Sequence, residues 1–157
     1  MATIKGRIKA ISVSKKKGTR KQNVLEAKLK ANYGIIGDAH AGKWHRQISL
    51  LSFESIREVV ARGGEVSPGD FAENITTEGI DLHLLKTGDK LYFSGNVELE
   101  ITQSGKKCHR RCDIYEQLGD CIMPREGIFA KVIKGGLISV GDEIEVINDK
   151  NSHINNQ

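Results

Sequence analysis

Two prolines, three cysteines and eight aromatic residues are few for a chain of 157 residues, and each shortage closes off a class of protein. With so little proline, and with 38% apolar and 28% charged residues, the composition is that of a folded globular protein and argues against long disorder. Three cysteines, an odd number at positions 108, 112 and 121, do not make a disulfide framework. The fold must therefore be held by apolar packing, with the thiols expected reduced. No stretch approaches the roughly 18 apolar residues of a membrane span, and the first residues lack the apolar core of a signal peptide. The expectation is a cytoplasmic protein with no membrane partner. The length suits one domain, expected over residues 1–147 with a polar tail at 148–157.

Acid is scarce where base is dense. Residues 1–50 carry twelve Lys and Arg against two Asp and Glu, a net +10, and the following segments run −6 over 51–105, +3 over 106–134 and −3 over the rest. Two basic segments separated by an acidic one can converge on an anionic ligand, or can be solvated faces. Nucleic acid would call for basic residues interleaved with aromatics, which are too few here to favour it.

Glycine is the residue in surplus, at 17, and five of these precede aspartate: Gly37-Asp38, Gly69-Asp70, Gly88-Asp89, Gly119-Asp120 and Gly141-Asp142. Glycine supplies positive φ and aspartate bonds local backbone, expected here on its downstream side, so each pair predicts a turn. Strict alternation predicts half-buried strands around Val97, Leu99 and Ile101, and again around Leu25, Ala27, Leu29 and Ala31. Ile4–Val13, Lys90–Phe93, Gly127–Ile133 and Glu143–Ile147 also read as strands, with a turn at Lys134-Gly135-Gly136. Helical spacing is clear once, at Phe53, Ile56, Val59 and Val60, with Ser52 as N-cap and Gly63-Gly64 as the stop, giving a helix over about 52–62. Cys112–Leu118 reads as a short second helix. These elements imply a mostly β domain, barrel-like, with helical decoration.

The sharpest chemical feature is Lys106-Lys107-Cys108-His109-Arg110-Arg111-Cys112. Adjacent cations lower a thiol's pKa and favour the thiolate that serves as nucleophile or soft metal ligand, whereas a core cysteine is rarely flanked by two charged pairs. Cys108, Cys112 and Cys121, with His109 or His40, form only a poor zinc pattern, since a second tight ligand pair is missing; Cys121 reads as core. The run Gly37–Gln47 places His40, His45 and Arg46 on a flexible loop before apolar Ile48–Leu51, either as ligand donors or as a surface turn with Trp44 tucked against the core. Ser14–Lys21 is a basic loop whose Lys15, Lys16 and Lys17 can cradle a phosphate or form a solvated hairpin tip; it lacks the spacing of a nucleotide-binding P-loop. Glu73 and Asn74 stand side by side and can orient a ligand or bond local backbone.

Taken in order, Gly34–Leu51, Pro68–Leu82, Ile101–Cys112 and Gly119–Asp142, with a looser match at Ser14–Thr19, resemble the MOSC domain, the C-terminal part of molybdenum-cofactor sulfurase, in its short stand-alone form. The resemblance implies a barrel with a pocket for the molybdenum cofactor, a pterin dithiolene ending in phosphate. The family's cysteine, a thiolate ligand to molybdenum or a persulfide carrier, maps onto Cys108, with Cys112 as the alternative. Pocket positions map onto His40, Arg46, Glu73 and Asn74, and the phosphate would suit Lys15–Lys17, Arg46, Lys106 or Lys107. The implied function is to carry the cofactor or help sulfurate it, with cofactor-biosynthesis or sulfur-donor proteins as partners. A self-contained molybdoenzyme reducing N-hydroxylated compounds is the alternative, and a basic barrel binding nucleic acid the second alternative. No pyridoxal phosphate is expected on a chain this short.

Overall fold

The computed structural model describes residues 4–17, 19–104 and 127–147. In chain order these form β1 (Ile4–Val13), β2 (Gln22–Val24), β3 (Glu26–Lys30), β4 (Gly34–Ile35), β5 (Ile48–Ser52), helix α1 (Phe53–Ala61), β6 (Ile75–Glu78), a 3-10 turn (Leu82–Leu84), β7 (Lys90–Phe93), β8 (Val97–Ser104), β9 (Ile128–Lys134), β10 (Gly136–Ser139) and β11 (Glu143–Ile147).

Seven strands close a barrel in the order β1, β6, β5, β9, β8, β7 and β11, with β11 pairing back onto β1. Closure removes the free edges that an open sheet would expose. The ten-residue β1 makes this possible: its first half pairs with β11 (Ile4↔Val146), its middle with β6 (Arg7↔Glu78) and its last residues with β2 (Val13↔Gln22). A register shift between Ile8 and Ala10 bends it as it passes from one partner to the next. All barrel pairings are antiparallel except β5 with β6. A parallel pair cannot be joined by a tight hairpin, and α1 lies in the crossover between the two.

Helix α1 forms where the sequence predicts it. Ser52 Oγ accepts the N–H of Ser55 at 3.0 Å, Glu54 favours the first turn through the helix dipole, and Gly63 at φ 98° follows the last turn. Its buried side is Ile56, packed with Leu51, Phe71, Ala72 and Phe129 on the outside of the barrel. Inside, Ile8, Ile11, Ile48, Leu50, Ile75, Leu91, Leu99, Ile101 and Ile144 make one continuous core. β5 is therefore buried on both faces, which explains its unbroken apolar run. A second sheet, ordered β10-β3-β4, adds Ala27, Leu29, Ile35 and Ile138 to the same core.

Two local expectations are corrected. The alternation over Leu25–Ala31 holds for Ala27 and Leu29, but Leu25 is 82% exposed because the chain bends there between β2 and β3. The turn at Lys134-Gly135-Gly136 is a corner between sheets, taking the chain from β9 in the barrel to β10 on β3. The second helix expected over Cys112–Leu118, the Gly119-Asp120 turn and the 148–157 tail lie outside the described residues.

The other four Gly-Asp pairs are one device used four times. In each, the aspartate N–H donates to the carbonyl three residues back (Ile35, Ser67, Lys86 and Ser139), and the glycine before it has φ between 93° and 98°, as a type II turn requires. Asp70, Asp89 and Asp142 also accept the N–H of that same residue, at 2.9, 2.8 and 2.8 Å. The carboxylate thus bonds upstream, correcting the downstream expectation. Asp38 is the exception: its carboxylate accepts from Ser14, His40 and Lys21 instead.

Glycine is required for different reasons at Gly135, in the corner between the sheets, and at Gly37, in the Ile35–Asp38 turn. A Cβ on Gly135 would lie 2.4 Å from the Leu29 carbonyl oxygen, whereas one on Gly37 meets nothing within 4 Å and strains only the backbone. Gly135→Ala is expected to cost about 1–3 kcal/mol by overpacking against backbone, and Gly37→Ala about 1 kcal/mol from its positive φ. Denaturant unfolding of the two variants side by side checks the order.

Candidate functional site

Two loops meet at one end of the barrel. The basic loop 14–21 joins β1 to β2 and is folded on its own hydroxyls: Ser14 Oγ and Thr19 Oγ1 both donate to the Lys16 carbonyl, at 3.0 and 2.8 Å. The 36–47 loop joins β4 to β5. Ala39 N–H donates to the Ser14 carbonyl at 2.7 Å and ties the two loops together.

The side chains divide by role. Lys15, Lys16 and Lys17 are exposed. Lys15, Lys16, Thr19, Arg20 and Gln22 line a cleft of about 500 Å3, while Lys17 Nζ stands 4.3 Å above the Trp44 ring. Lys21, which the sequence groups with these cations, turns inward and is fully buried. Its Nζ donates to Asp38 Oδ1 at 2.8 Å and to Ser14 Oγ at 3.0 Å.

Trp44 organises its own loop. Its Nε1 donates to the His40 carbonyl at 2.7 Å, the His40 ring stacks parallel to it at 6.4 Å, and His45 meets it edge-on at 5.8 Å. Thr102 Oγ1 donates to the His45 carbonyl, and Arg46 Nε donates to Gln103 Oε1 at 3.0 Å. The Arg46 guanidinium lies 5.2 Å over the Phe129 ring, a cation held on an aromatic face. Gln103 and Phe129 are register partners on β8 and β9. Arg46 therefore stands at the two strand ends between which residues 105–126 are inserted. Lys106, Lys107, Cys108 and Cys112, with His109 and Cys121, fall in that stretch and lie outside the described residues.

Lys17, His40 and Arg46 are thus carried to one end of the barrel, linked through Trp44 and the 36–47 loop. Glu73 and Asn74 are close by but turned into the protein. Asn74 Oδ1 accepts from Ser49 N–H at 3.0 Å and its Nδ2 donates to the Ser12 carbonyl at 3.1 Å, which joins β5 to β1. Glu73 accepts from the N–H groups of Gly69 (2.9 Å) and Phe71 (3.3 Å) and from Thr76 Oγ1 (2.9 Å). These hydrogen bonds of Glu73 and Asn74 are all with the protein's own groups.

Asp38 and Lys21 were not singled out in the sequence, where one reads as half of a turn and the other as one lysine in a basic run. Besides Lys21, Asp38 accepts the N–H groups of Ser14 and His40, each at 3.0 Å, and His40 Nδ1 lies 3.8 Å from its Oδ2. Burial works against the Asp38 charge, yet the hydrogen bonds from His40, Lys21 and Ser14 outweigh it and hold the carboxyl well below the usual range. Burial also pulls Lys21 below the usual lysine range, against the pull of Asp38. For Glu73, burial wins over its hydrogen bonds and pushes the carboxyl up to about 7.

A closed barrel whose basic loops collect at one end is the class of protein defined so far. The MOSC domain matches over residues 37–145, and the chain belongs to the MOSC domain family. A search of curated proteins gave no match. Among solved structures, the YuaD protein from Bacillus subtilis is 20% identical, covering 92% of this chain and 97% of that one with a TM-score of 0.78. YiiM from Geobacillus stearothermophilus is 19% identical, covering 91% and 75% with a TM-score of 0.69. YiiM from Escherichia coli is also 19% identical, covering 90% and 70% with a TM-score of 0.65. At these identities the likeness is one of fold. Among the described residues no group of three or more His, Cys, Asp or Glu side chains is placed to hold a metal ion, and no helix is long and apolar enough to cross a membrane.

The raised Glu73 pKa sets a pH signature. Its folded-state value of about 7 exceeds the ordinary 4.5, so the folded state holds a proton that the unfolded chain releases. The associated stability is full below about pH 4.5 and lost as pH rises to about 7, up to about 3 kcal/mol. Asp38 acts in the opposite sense, stabilising above its ordinary 3.8 and failing as pH falls. Urea unfolding from pH 4.5 to 8 should therefore show stability falling toward pH 7 in the wild type. Glu73→Gln should flatten that slope.

Proposed function

We propose that this MOSC-family protein binds the molybdenum cofactor and carries it or assists its sulfuration, with Cys108 as the contacting thiolate. The observation that supports this most is the position of Arg46. It is pinned by Gln103 and Phe129 at the strand ends that lead into and out of the stretch bearing Cys108. His40 and Trp44 stand on the same 36–47 loop, and Lys17 on the neighbouring 14–21 loop reaches over the Trp44 ring.

The donor set fits an anionic, sulfur-rich ligand. Lys15, Lys16, Lys17 and Arg46 offer charge-assisted hydrogen bonds to phosphate oxygens. The one carboxylate between the two loops, Asp38, is already neutralised by Lys21. When bound, the cofactor would supply a molybdenum centre on dithiolene sulfurs, to which a soft thiolate is a suitable further ligand. Cys108 is placed in that role by its four cationic neighbours in the sequence, which favour the ionised thiol; Cys112 is the alternative. In this reading Glu73 and Asn74 hold the floor of the site through β1, β5 and the 69–76 segment. Sulfur-donor or cofactor-biosynthesis proteins are the corresponding partners.

Protein purified from cofactor-competent cells is expected to contain molybdenum and pterin in equal amounts. Cys108→Ser should lower both about tenfold or more, Arg46→Ala should lower both less severely, and Cys112→Ser should leave them near the wild-type level. Wild-type protein free of pterin, or a Cys108→Ser protein as fully loaded as the wild type, would overturn the assignment.

A further inference from the structure

Among the described residues four turns share one construction, and three of them spend the aspartate on their own first residue. The fourth, Ile35–Asp38, sends its carboxylate across to another loop. There it takes Lys21 Nζ at 2.8 Å and Ser14 N–H at 3.0 Å, while Lys21 also bonds Ser14 Oγ and Ser14 Oγ reaches on to the Lys16 carbonyl. Both charged side chains are 0% exposed. A pair of charges sealed from water is weak as a source of stability, because desolvation takes back most of the attraction. Its geometric demand is strict, since neither charge tolerates losing its partner.

What this pair joins is informative. Ser14 and Lys21 are the two ends of the basic loop, and Asp38 also accepts the His40 N–H at the root of the segment carrying His40 and Trp44. We propose that Lys21 and Asp38 are positioning residues, whose buried ion pair fixes the basic loop against the 36–47 loop so that Lys17 and His40 are in place before an anionic ligand arrives. Preorganisation of this kind raises affinity by removing the cost of ordering loops on binding. That the ligand is the molybdenum cofactor rests on the function proposed above; the locking of the two loops does not.

Trp44 makes the idea testable without any ligand. It is the chain's only tryptophan, and both Lys17 and His40 contact its ring. Asp38→Asn keeps the size of the side chain and removes its charge. Asp142→Asn makes the same change in a turn of the same type whose carboxylate, among the described residues, bonds the local Ser139 N–H. With both variants folded by far-UV circular dichroism, acrylamide quenching of Trp44 should rise about twofold in Asp38→Asn and stay at the wild-type value in Asp142→Asn. Where Asp38→Asn does not fold, it is combined with Lys21→Met, which removes both charges and leaves neither buried alone; the quenching should rise in the same direction. Equal quenching in the wild type and the folded loop variant, or an equal rise in Asp142→Asn, would overturn the proposal.

Cofactor content separates this inference from the functional one. Raised quenching together with about tenfold lower pterin content in Asp38→Asn supports both. Raised quenching in a protein whose wild type carries no pterin keeps the positioning role and removes the cofactor. Unchanged quenching removes the positioning role, whatever the pterin content.

Discussion

A lysine and an aspartate sealed together at the barrel's end set the arrangement of everything around them. Each charge alone would cost several kcal/mol to bury, and here they are paired at 2.8 Å with further hydrogen bonds from Ser14 and His40. These hydrogen bonds tie the β1–β2 connection to the β4–β5 connection. The exposed cations of the basic loop therefore project from a fixed base and not from a free hairpin tip.

The barrel provides the rest of that base. β1 runs its full ten residues through three pairings, and its end at Val13 is held by pairing with Gln22 of β2. β5 is buried on both faces, between the inner core and the layer under α1, which fixes the start of the strand that follows Arg46 and Gln47. Gln47 Oε1 accepts the Val132 N–H at 2.9 Å, bonding the loop's last residue to β9. The flexible residue types of the 36–47 loop are thus clamped at both ends and in the middle.

Much of the fold was legible because it rests on local signals. Period-two alternation marked Val97–Ile101, the Ser52 cap and Gly63 bounded the helix, and the Gly-Asp pairs marked turns. The many short strands and glycine turns already indicated a barrel-like domain, but the strand order and register that close it were not legible, since pairing between distant strands leaves no local trace. The loop cations, His40 and Arg46 were visible as residue types that serve anions. The Lys21–Asp38 pair was not, because a buried lysine in a basic run looks like its exposed neighbours and the carboxylate it meets belongs to a turn motif that is local elsewhere in the chain. Glu73 and Asn74 show the converse: polar residue types suited to a ligand are spent on Gly69, Phe71, Ser49 and Ser12.

The function proposed for this cationic barrel end puts the molybdenum cofactor where the 14–21 and 36–47 loops meet β8 and β9. Amide nitrogen–proton NMR spectra of the labelled protein, with and without the cofactor, test that location directly. The account predicts shift changes concentrated at Lys15–Lys17, His40–Arg46, Gln103 and Phe129. Changes confined to the cleft lined by Lys5, Arg7, Glu78 and Glu143, or to the acidic cleft between α1 and the Gly79–His83 segment, would contradict it.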